Sequence, residues 1–505
     1  MKLSAYTLKN ISPGKVIVPD EEILELPEKV LQFGTGMLLR GLPDYFIDKA
    51  NRQGIFNGRI VIIKTTSRGD ATVFEKQDGL YTLCVRGVEN GEKVEENIIN
   101  SAIRRVLIAD KEWEQILEYA HNQSLQVIIS NTTEVGIKLE NDDIRRHPPV
   151  SYPGKLLAFL HERFTAFNGS KSSGFVIVPT ELIPENGKKL ESIVLELAHL
   201  NGLDDDFIEW LESCNYFCNS LVDRIVTGVP GDEIKKEIED SLGYTDELLT
   251  MCEVYRLWAI EGDEHIKRIL SFADADEGMV IEPGIDLYRE LKLRVLNATH
   301  TLSCGIAFLS SIHSVKEAMD NELMSGYITD LMKYEIGPSI PYKIEAETVE
   351  VFIARVLDRF RNPHIDHQWK NITLNYSYKI KMRCLPLLFR YYEENDEVPE
   401  LFALGFAAYL YFMKAVKKNG KEYLGEFQGR DYLIEDDMAA KFYELWQNSE
   451  PAAVVKNVLK NISFWGKDFS LISGFQQSVT EKLNAIIKNG MPATLEAVHP
   501  KKIYV

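Results

Sequence analysis

Short apolar strands that alternate with helical segments in the N-terminal part of the chain constrain the fold most. The runs at residues 29–33, 59–64, 125–130 and 175–178 are rich in β-branched residues, and helical periods separate them. Continuous apolar strands are typical of a parallel sheet that helices cover on both faces. We therefore predict an α/β, Rossmann-like N-terminal domain. The alternating segment 77–86 predicts an additional hairpin-like strand outside the first crossover.

Helical periodicity dominates the rest of the chain, and no long β-rich run follows residue 285. A chain of 505 residues is too long for one compact core. We predict a Rossmann-like domain at 1–285, with 185–285 as its tail and a crossover, and an all-helical domain at 286–505. The expected helices span 188–201, 203–214, 232–242, 287–310, 315–331, 345–361, 385–394, 399–416 and 437–447.

The balance of charge limits the partners. The chain carries 57 Lys and Arg against 76 Asp and Glu, which gives a net charge of −19. Nucleic acids and anionic membrane surfaces attract proteins with the opposite excess, so we expect neither partner. No apolar stretch approaches the roughly 20 residues of a membrane helix. Residues 1–30 also lack the organisation of a signal peptide.

The cysteines are scattered along the chain and include no C-x-x-C pair. They are Cys84, Cys214, Cys218, Cys252, Cys304 and Cys384. This usage predicts buried free thiols in a reducing compartment, rather than disulfides or a structural metal. We therefore expect a cytoplasmic protein.

Residues 31–41, LQFGTGMLLRG, join the first strand to a helix through a Gly-x-Gly turn. Gly34 permits the sharp turn, and Gly36 leaves bare backbone where a pyrophosphate could approach a helix N-terminus. Leu39 replaces the usual third glycine, so the fingerprint is incomplete. A tight turn without a ligand is the alternative, but the position at the first strand–helix junction favours a nucleotide.

The end of the second strand gives another test of the nucleotide, since NAD enzymes usually place an acid there for the ribose. This sequence has KTTSR at 64–68, and Asp70 comes late. The residues alone therefore lean toward NADP or an adapted NAD site, and both remain open.

The stretch KLRVLNATH at 292–300 combines three polar residues on one predicted helix. Asn297 and His300 are three residues apart, and Lys292 is displaced from His300 by about 80° at about 100° per residue. All three can reach one pocket, where a lysine shielded from water acts as a general base and an amide stabilises an alkoxide. The histidine can orient sugar hydroxyls. Spacing alone nevertheless favours the alternative of a solvated lysine, a helix-face asparagine and a buried, hydrogen-bonded histidine.

Four separated blocks carry a resemblance to a known family: QFGTGMLLRG at 32–41, QDGLYTL at 77–83, LVDRI at 221–225 and KLRVLNATH at 292–300. On these blocks the chain resembles the polyol-specific long-chain dehydrogenases, the mannitol dehydrogenase family. The segments SNTTE at 130–134, VSYPGKL at 150–156, FCNSLVDRIVTGVP at 217–230 and RFRNPHIDHQ at 359–368 resemble the branch that interconverts tagaturonate and altronate in galacturonate breakdown.

The resemblance implies zinc-independent hydride transfer between NAD and a secondary alcohol, with NADP as the alternative cofactor. It implies that Lys292 is the general base, that Asn297 and Asn186 form the oxyanion hole, that His300 positions the substrate and that Asp223 belongs to the active site. The cofactor-binding residues expected on this basis are Phe33, Gly34, Thr35, Gly36, Met37, Arg40, Asn131 and Thr132.

A sugar acid brings a carboxylate, so we expect further cations near Lys292 within an otherwise negative protein. The candidates are Arg361, His364, His367, Lys379, Lys381 and Arg383. For each of them alone, a surface position is the simpler interpretation. A zinc site at His364 and His367 is not expected, because suitably spaced further ligands are missing. Two alternatives remain: a family member acting on fructuronate and mannonate or on neutral mannitol, and a nucleotide-binding protein without redox chemistry.

Overall fold

A computed structural model describes residues 1–65, 71–132 and 136–498. The chain divides into two units. The first comprises Met1–Gly87 and Lys93–Ile285, and the second comprises Val88–Glu92 and Asp286–Val505.

The strands of the first unit are, in chain order, β1 (Glu28–Phe33), β2 (Arg59–Lys64), β3 (Tyr81–Glu89), β4 (Glu92–Asn100), β5 (Ile103–Ile108), β6 (Val127–Ser130), β7 (Val176–Pro179), β8 (Tyr216–Phe217), β9 (Ser220–Asp223), β10 (Val226–Gly228), β11 (Thr250–Glu253), β12 (Leu257–Glu261) and β13 (Met279–Glu282). Six of them form a parallel sheet in the order β5–β2–β1–β6–β7–β8. The Rossmann-like prediction is confirmed, and the four predicted strands are β1, β2, β6 and β7.

The helices of the first unit are α1 (Met37–Gly41), α2 (Pro43–Arg52), α3 (Thr72–Lys76), α4 (Ala109–Glu118), α5 (Tyr152–Ala166), α6 (Asn186–Leu200), α7 (Asp205–Cys214), α8 (Asp232–Leu242) and α9 (Glu264–Ile269), with short 3₁₀ turns at Ala5–Asn10, Glu21–Glu25, Tyr119–His121, Lys171–Ser173 and Ser271–Ala275. Alternate residues of β1 enter separate cores on the two faces of the sheet. Val30 packs with α1 and α2, whereas Leu31 and Phe33 pack with α4 to α7. This two-sided burial explains why the central strands are continuously apolar.

Two parts of the first unit differ from the prediction. The edge strand β5 was missed because Arg104 and Arg105 interrupt its apolar run; Arg105 bonds Glu28 at 2.9 Å. The segment 216–282 is rich in strands, which form the sheets β10–β11–β3–β4 and β13–β12–β9. The predicted strand at 77–86 is β3, and it joins β4 in the first of these smaller sheets.

The helices of the second unit are α10 (Asp286–Leu291), α11 (Thr299–Leu309), α12 (Val315–Asp320), α13 (Glu322–Asp330), α14 (Ala346–Phe360), α15 (Trp369–Ile372), α16 (Tyr376–Lys379), α17 (Leu385–Glu394), α18 (Glu400–Phe412), α19 (Ala439–Asn448), α20 (Pro451–Leu459), α21 (Ile462–Trp465), α22 (Phe475–Asn489) and α23 (Met491–Val498). Short 3₁₀ turns lie at Gly337–Ser339 and Phe469–Leu471, and π-helical turns at Lys292–Ala298, Leu331–Ile336 and Ile380–Cys384. The buried helix α18 packs against α11 and α22 and forms the centre of this unit.

The prediction of an all-helical second domain is wrong in one segment. Three antiparallel strands, β14 (Ala415–Asn419), β15 (Glu422–Phe427) and β16 (Arg430–Leu433), form a small sheet. Their sequence is rich in lysine and glutamate, so it lacks an apolar strand signal. The unit is therefore mostly, but not entirely, helical.

Candidate active site

The Gly-x-Gly loop lies at the carboxyl edge of the parallel sheet, between β1 and β6. Gly34 adopts a φ of +124°, and a Cβ there would lie 2.9 Å from the carbonyl oxygen of Asn131, so this position requires glycine. At Gly36, the nearest described atom to such a Cβ is Asn131 Oδ1 at 3.8 Å. Among the described residues, a Cβ at Gly36 would thus make one ordinary contact and no clash. The glycine follows β1 at the carboxyl edge of the sheet, which is where open α/β sheets bind ligands.

Hydrogen bonds from the neighbouring strand ends fix the far side of this loop. Asn131 Nδ2 donates to Thr180 Oγ1 at 3.0 Å, and Asn131 N donates to the Phe33 carbonyl at 3.1 Å. The amide and hydroxyl of Thr132 donate to Glu181 Oε1 at 2.8 and 3.0 Å. Glu181 is buried and was not predicted as a site residue, although an acid two residues after the end of β7 is a usable signal.

Two of the predicted cofactor-binding residues lie inside the protein. Phe33 is fully buried against Tyr152, with ring centroids 5.1 Å apart, so its side chain belongs to the core. Arg40 is also buried; its guanidinium donates to the Thr35 carbonyl and to Thr250 Oγ1, each at 3.1 Å. Arg40 therefore supports the loop from within. Thr35, Gly36 and Met37 lie at least partly at the surface, as the prediction requires.

The predicted helix after this loop is interrupted. Helix α1 ends at Gly41, Leu42 leaves helical geometry, and Pro43 begins α2. At the end of β2, Lys64 is buried and Thr65 is half-buried. The positions tested for a ribose-binding acid, from Thr66 to Asp70, lie outside the described residues.

The side chain of Asn186, predicted as an oxyanion donor, contacts backbone groups in this structure. Its Nδ2 donates to the carbonyl oxygens of Pro179, Glu181 and Ser220 at 2.9, 3.1 and 3.1 Å. Its Oδ1 accepts from the amides of Gly187 and Ser220 at 3.0 and 2.8 Å. The side chain is 1% exposed, and the backbone uses its whole hydrogen-bonding capacity. In this structure the Asn186 side chain attaches the start of β9 to the end of β7, and its assignment to the oxyanion hole stays a prediction.

Asp223 lies at the other end of the strand that Asn186 holds. It is buried at the end of β9, opposite Leu257 of β12. Its assignment to the active site stays a prediction.

In the second unit, the residues Lys292 and Asn297 share a π-helical turn rather than an α-helix. On an α-helix, two residues five positions apart differ by about 140° at about 100° per residue. In a π-helix the hydrogen bond joins residues five apart, so Lys292 and Asn297 lie on neighbouring turns of the same face. Both side chains are half-buried. The change of helix type thus brings the two residues closer in direction than the sequence analysis expected.

His300 follows this turn on α11 and is held by aromatic rings. Its ring stacks on Phe360 at 4.4 Å and 9°, and meets the rings of His367 and Trp369 edge-on at 5.0 and 5.7 Å. Within the described part of the chain, its buried Nε2 has no hydrogen-bond partner. Burial lowers the pKa of His300 well below its ordinary value, and nearby cations lower it further. The ring is therefore neutral near pH 7, and one nitrogen is left for a ligand.

Four cationic or titratable side chains surround His300 closely enough to depress its pKa: His367, Arg359, Arg383 and Lys379. Burial also lowers the pKa of His367, Lys379 and Arg383, and Arg383 adds to the effect on Lys379. We call these four side chains the cation cluster. Clustered positive groups favour a bound anion, because its charge relieves their mutual repulsion.

Three of the six predicted carboxylate-binding residues belong to the cation cluster, and three do not. Arg361 is exposed and pairs with Asp358 at 3.6 Å. Lys381 lies over the Phe464 ring at 5.2 Å, and His364 is exposed. Arg359 was missed, although it occupies the apolar stripe of α14, where an arginine is unusual.

The remaining predictions concern metals, thiols and membranes. All six cysteines are buried and free, which confirms the prediction for them. Across residues 1–65, 71–132 and 136–498, the structure contains no group of three His, Cys, Asp or Glu side chains that could hold a metal ion. Over the same ranges, no helix is long and apolar enough to cross a membrane.

A parallel sheet with a Gly-x-Gly loop, followed by a helical unit with Lys292, Asn297 and His300 on one segment, is the architecture of a two-domain dehydrogenase. Two family descriptions match the chain: "Mannitol dehydrogenase Rossmann domain" over residues 28–271 and "Mannitol dehydrogenase C-terminal domain" over residues 284–487. The chain belongs to the mannitol dehydrogenase family, and it is an oxidoreductase of the polyol and sugar-acid class.

Curated relatives cover nearly the whole chain. The altronate oxidoreductase of Bacillus subtilis (strain 168) is 37% identical over 476 residues, which cover 94% of this chain and 95% of the relative. The altronate oxidoreductase of Halalkalibacterium halodurans is 35% identical over 484 residues, with 94% of each chain covered.

Solved structures show the same fold at lower identity. A D-sorbitol dehydrogenase in substrate-free form matches with a TM-score of 0.80 and 21% identity, covering 98% of this chain and 100% of that one. The ternary complex of Pseudomonas fluorescens mannitol 2-dehydrogenase with NAD and D-mannitol matches with a TM-score of 0.67 and 21% identity, covering 99% and 100%.

Proposed function

We propose that this chain is an NAD-dependent tagaturonate reductase, that is, an altronate oxidoreductase, which acts without zinc in galacturonate breakdown. The cation cluster around His300, a neutral ring whose Nε2 has no hydrogen-bond partner among the described residues, carries the proposal, because it suits a sugar that bears a carboxylate. The curated relatives named altronate oxidoreductase support the same substrate class.

The Gly-x-Gly loop would hold the nicotinamide cofactor. Gly36 leaves bare backbone for a pyrophosphate, and Arg40 holds the Thr35 carbonyl so that the loop keeps its shape. When bound, NAD(H) supplies or accepts the hydride. The mannitol 2-dehydrogenase complex contains NAD, and NADP is the alternative for this chain.

Lys292 and Asn297 would act on the oxygen of the reacting carbon. During reduction, Lys292 Nζ donates the proton that converts the developing alkoxide to the alcohol, and during oxidation it takes that proton back. The Asn297 amide donates a hydrogen bond to the same oxygen, which stabilises its negative charge. Their placement on one face of a π-helical turn supports a joint action on one atom.

His300 and the cation cluster would orient the remainder of the substrate. Stacking on Phe360 fixes the imidazole plane, so Nε2 can form a hydrogen bond with a sugar hydroxyl. Arg383 or Arg359 can hold the carboxylate with two parallel hydrogen bonds, and Lys379 adds a point charge. Asp223 remains a proposed member of the active site.

Fructuronate is the second candidate substrate, because it carries the same carboxylate and is reduced at the same kind of ketone. Neutral fructose would leave the cation cluster without an anion, so mannitol is disfavoured as the alcohol. The alternative of a nucleotide-binding protein without redox chemistry is disfavoured, because the chain belongs to a family of dehydrogenases.

The test compares NADH oxidation by the purified protein with tagaturonate, fructuronate and fructose. We expect kcat/KM to be highest for tagaturonate and lowest for fructose. Lys292→Met should abolish turnover while leaving NADH binding unchanged, and Lys333→Met, on another π-helical turn, is the matched control. A preference for fructose, or full activity of Lys292→Met, would refute the proposal.

A further inference from the structure

Two arginines join the π-helical turns Lys292–Ala298 and Ile380–Cys384, and each belongs to one turn and donates toward the other. Arg294, on the first turn, donates from Nη1 to the carbonyl oxygens of Met382 and Arg383, both at 2.8 Å. Arg383, on the second turn, donates from Nη1 to Thr301 Oγ1 at 3.2 Å. The Thr301 hydroxyl in turn donates to the carbonyl of Asn297 at 2.8 Å. Each turn therefore holds the other.

Arg294 is built for this contact. It is buried, and its Nε donates to Glu290 Oε2 at 2.8 Å, one helical turn earlier. The guanidinium thus reaches a carboxylate on one side and two carbonyl oxygens on the other. A lysine has the charge but not the planar fork, so it cannot keep all three contacts in this geometry.

Thr301 connects Arg383 of the second turn to Asn297 of the first. Its hydroxyl is buried, donates its one proton to Asn297 and accepts from Arg383. A valine has nearly the same shape but forms neither bond. The position is therefore suited to a test that removes the link and keeps the packing.

We infer that Arg294 and Thr301 are positioning residues that fix the spacing between the turn carrying Lys292 and Asn297 and the turn carrying Arg383. The inference rests on the proposed function, in which the first turn acts on the ketone and Arg383 binds the carboxylate at the far end of the sugar acid. The enzyme then selects substrates in which ketone and carboxylate match this spacing.

The arrangement links substrate charge to turnover as well as to affinity. A carboxylate held by Arg383 is placed at a fixed distance from the oxygen that Lys292 and Asn297 serve. Binding energy from a remote group then raises kcat, since it places the reacting atoms correctly. Loss of the hydrogen bonds between the two turns should therefore reduce kcat for the charged substrate more than it reduces substrate binding.

The experiment measures kcat and KM of Thr301→Val with tagaturonate and fructose, beside the wild type. We expect kcat with tagaturonate to fall by about tenfold or more, because a misplaced reacting atom can cost up to about a hundredfold. KM should change much less than kcat, because the lost interaction places the reacting atoms rather than binding the substrate. The ratio of kcat/KM for tagaturonate over fructose should fall, and deuterated NADH should give a larger isotope effect on kcat.

Two variants control for stability. Thr494→Val removes a hydroxyl that donates to the Gly490 carbonyl at 2.8 Å in a comparably buried position, and should leave kcat unchanged. Thr301→Ser keeps both hydrogen bonds and should restore turnover. Arg294→Lys weakens the contacts that the first turn makes with the carbonyl oxygens of Met382 and Arg383. This variant decides the inference if Thr301→Val does not fold.

The outcomes separate the inference from the proposed function. If the wild type prefers tagaturonate while Thr301→Val and Arg294→Lys keep its kcat and preference, the inference is wrong and the function stands. If the wild type does not reduce tagaturonate, the proposed function fails and the inference fails with it.

Discussion

Asn186 separates two accounts of the site, because the family resemblance makes it an oxyanion donor and the structure gives it a structural role. The test is Asn186→Ala. If the side chain only attaches β9 to β7, the change removes up to four hydrogen bonds to backbone, because two N–H donors serve three carbonyl oxygens and Oδ1 accepts from two amides. A net hydrogen bond contributes about 0.5–1.5 kcal/mol, and water entering the small cavity would replace some of them. We therefore expect a loss of about 3–5 kcal/mol in the free energy of unfolding.

This loss has a measurable size in thermal unfolding. For large domains, 1 kcal/mol shifts the transition by about 2–4 °C, so the first unit should unfold about 6–20 °C lower. Well below the transition, kcat should fall less than fivefold, whereas removal of an oxyanion donor costs about 10²–10³-fold. Differential scanning calorimetry and NADH oxidation, measured on the same samples, provide the two quantities.

Asn201→Ala is the matched control, at the opposite end of the same helix. Its side chain donates to the carbonyl oxygens of Asp142 and Leu197 and accepts from the Ile144 amide. It should lower the transition by a smaller amount and leave kcat unchanged. A fall of a hundredfold in kcat for Asn186→Ala, with the transition unmoved, would refute the structural assignment and restore the oxyanion role.

Three further predictions follow from the site. Lys379→Met should raise KM for tagaturonate about 10-fold or more, since a hydrogen bond to a charged group contributes about 1.5–3 kcal/mol. Lys381→Met, outside the cation cluster, should leave KM unchanged. Equal effects of the two variants in steady-state kinetics would contradict the assignment of Lys379 to the carboxylate site. Gly34→Ala should destabilise the fold because it forces a Cβ against a backbone oxygen, whereas Gly36→Ala should keep its melting temperature and weaken NADH binding in a fluorescence titration. The pKa of His300 is lowered in the folded state, from an ordinary value of 6.5. Below about pH 6.5 the unfolded chain therefore binds more protons than the folded chain, and the free energy of unfolding should fall as the pH falls. His300→Phe should weaken that dependence in melting curves recorded across this range, and an unchanged dependence would show that His300 does not contribute to it.

The sequence predicts the central sheet well because burial on both faces leaves a continuous apolar pattern in β1, β2, β6 and β7. The small sheet β14–β15–β16 leaves no such pattern, since lysines and glutamates fill its exposed faces. Its second turn depends instead on positive φ at Gln428 and Gly429, which is a property of two residues rather than of a run.

The segment Lys292–His300 shows a different limit of sequence reasoning. The spacing of Lys292, Asn297 and His300 identifies the residues, but it does not give the helix type. In the structure, the π-helical turn also contacts a segment distant in sequence, through the hydrogen bonds from Arg294 to the carbonyl oxygens of Met382 and Arg383. A periodicity computed for an α-helix cannot contain that information.

Asn186 shows a related limit of sequence reasoning. A motif gives the residue type, whereas the number of hydrogen bonds already formed decides whether an amide is available to a substrate. The Asn186 amide is bonded to backbone groups of Pro179, Gly187 and Ser220, of which only Ser220 is distant in sequence.

The net charge of −19 and the cation cluster are compatible because they act over different distances. At physiological ionic strength, interactions between exposed charges are largely screened beyond about 8 Å. An approaching sugar acid therefore feels little of the overall negative charge, while half-buried cations act on it at contact distance with less screening. Burial already lowers the pKa of Lys379 and Arg383, which means that their positive charge is unfavourable without an anion. A bound carboxylate removes part of that unfavourable energy, and a neutral polyol does not. In the proposed function, substrate charge is thus selected by the second unit's local electrostatics rather than by the field of the whole chain.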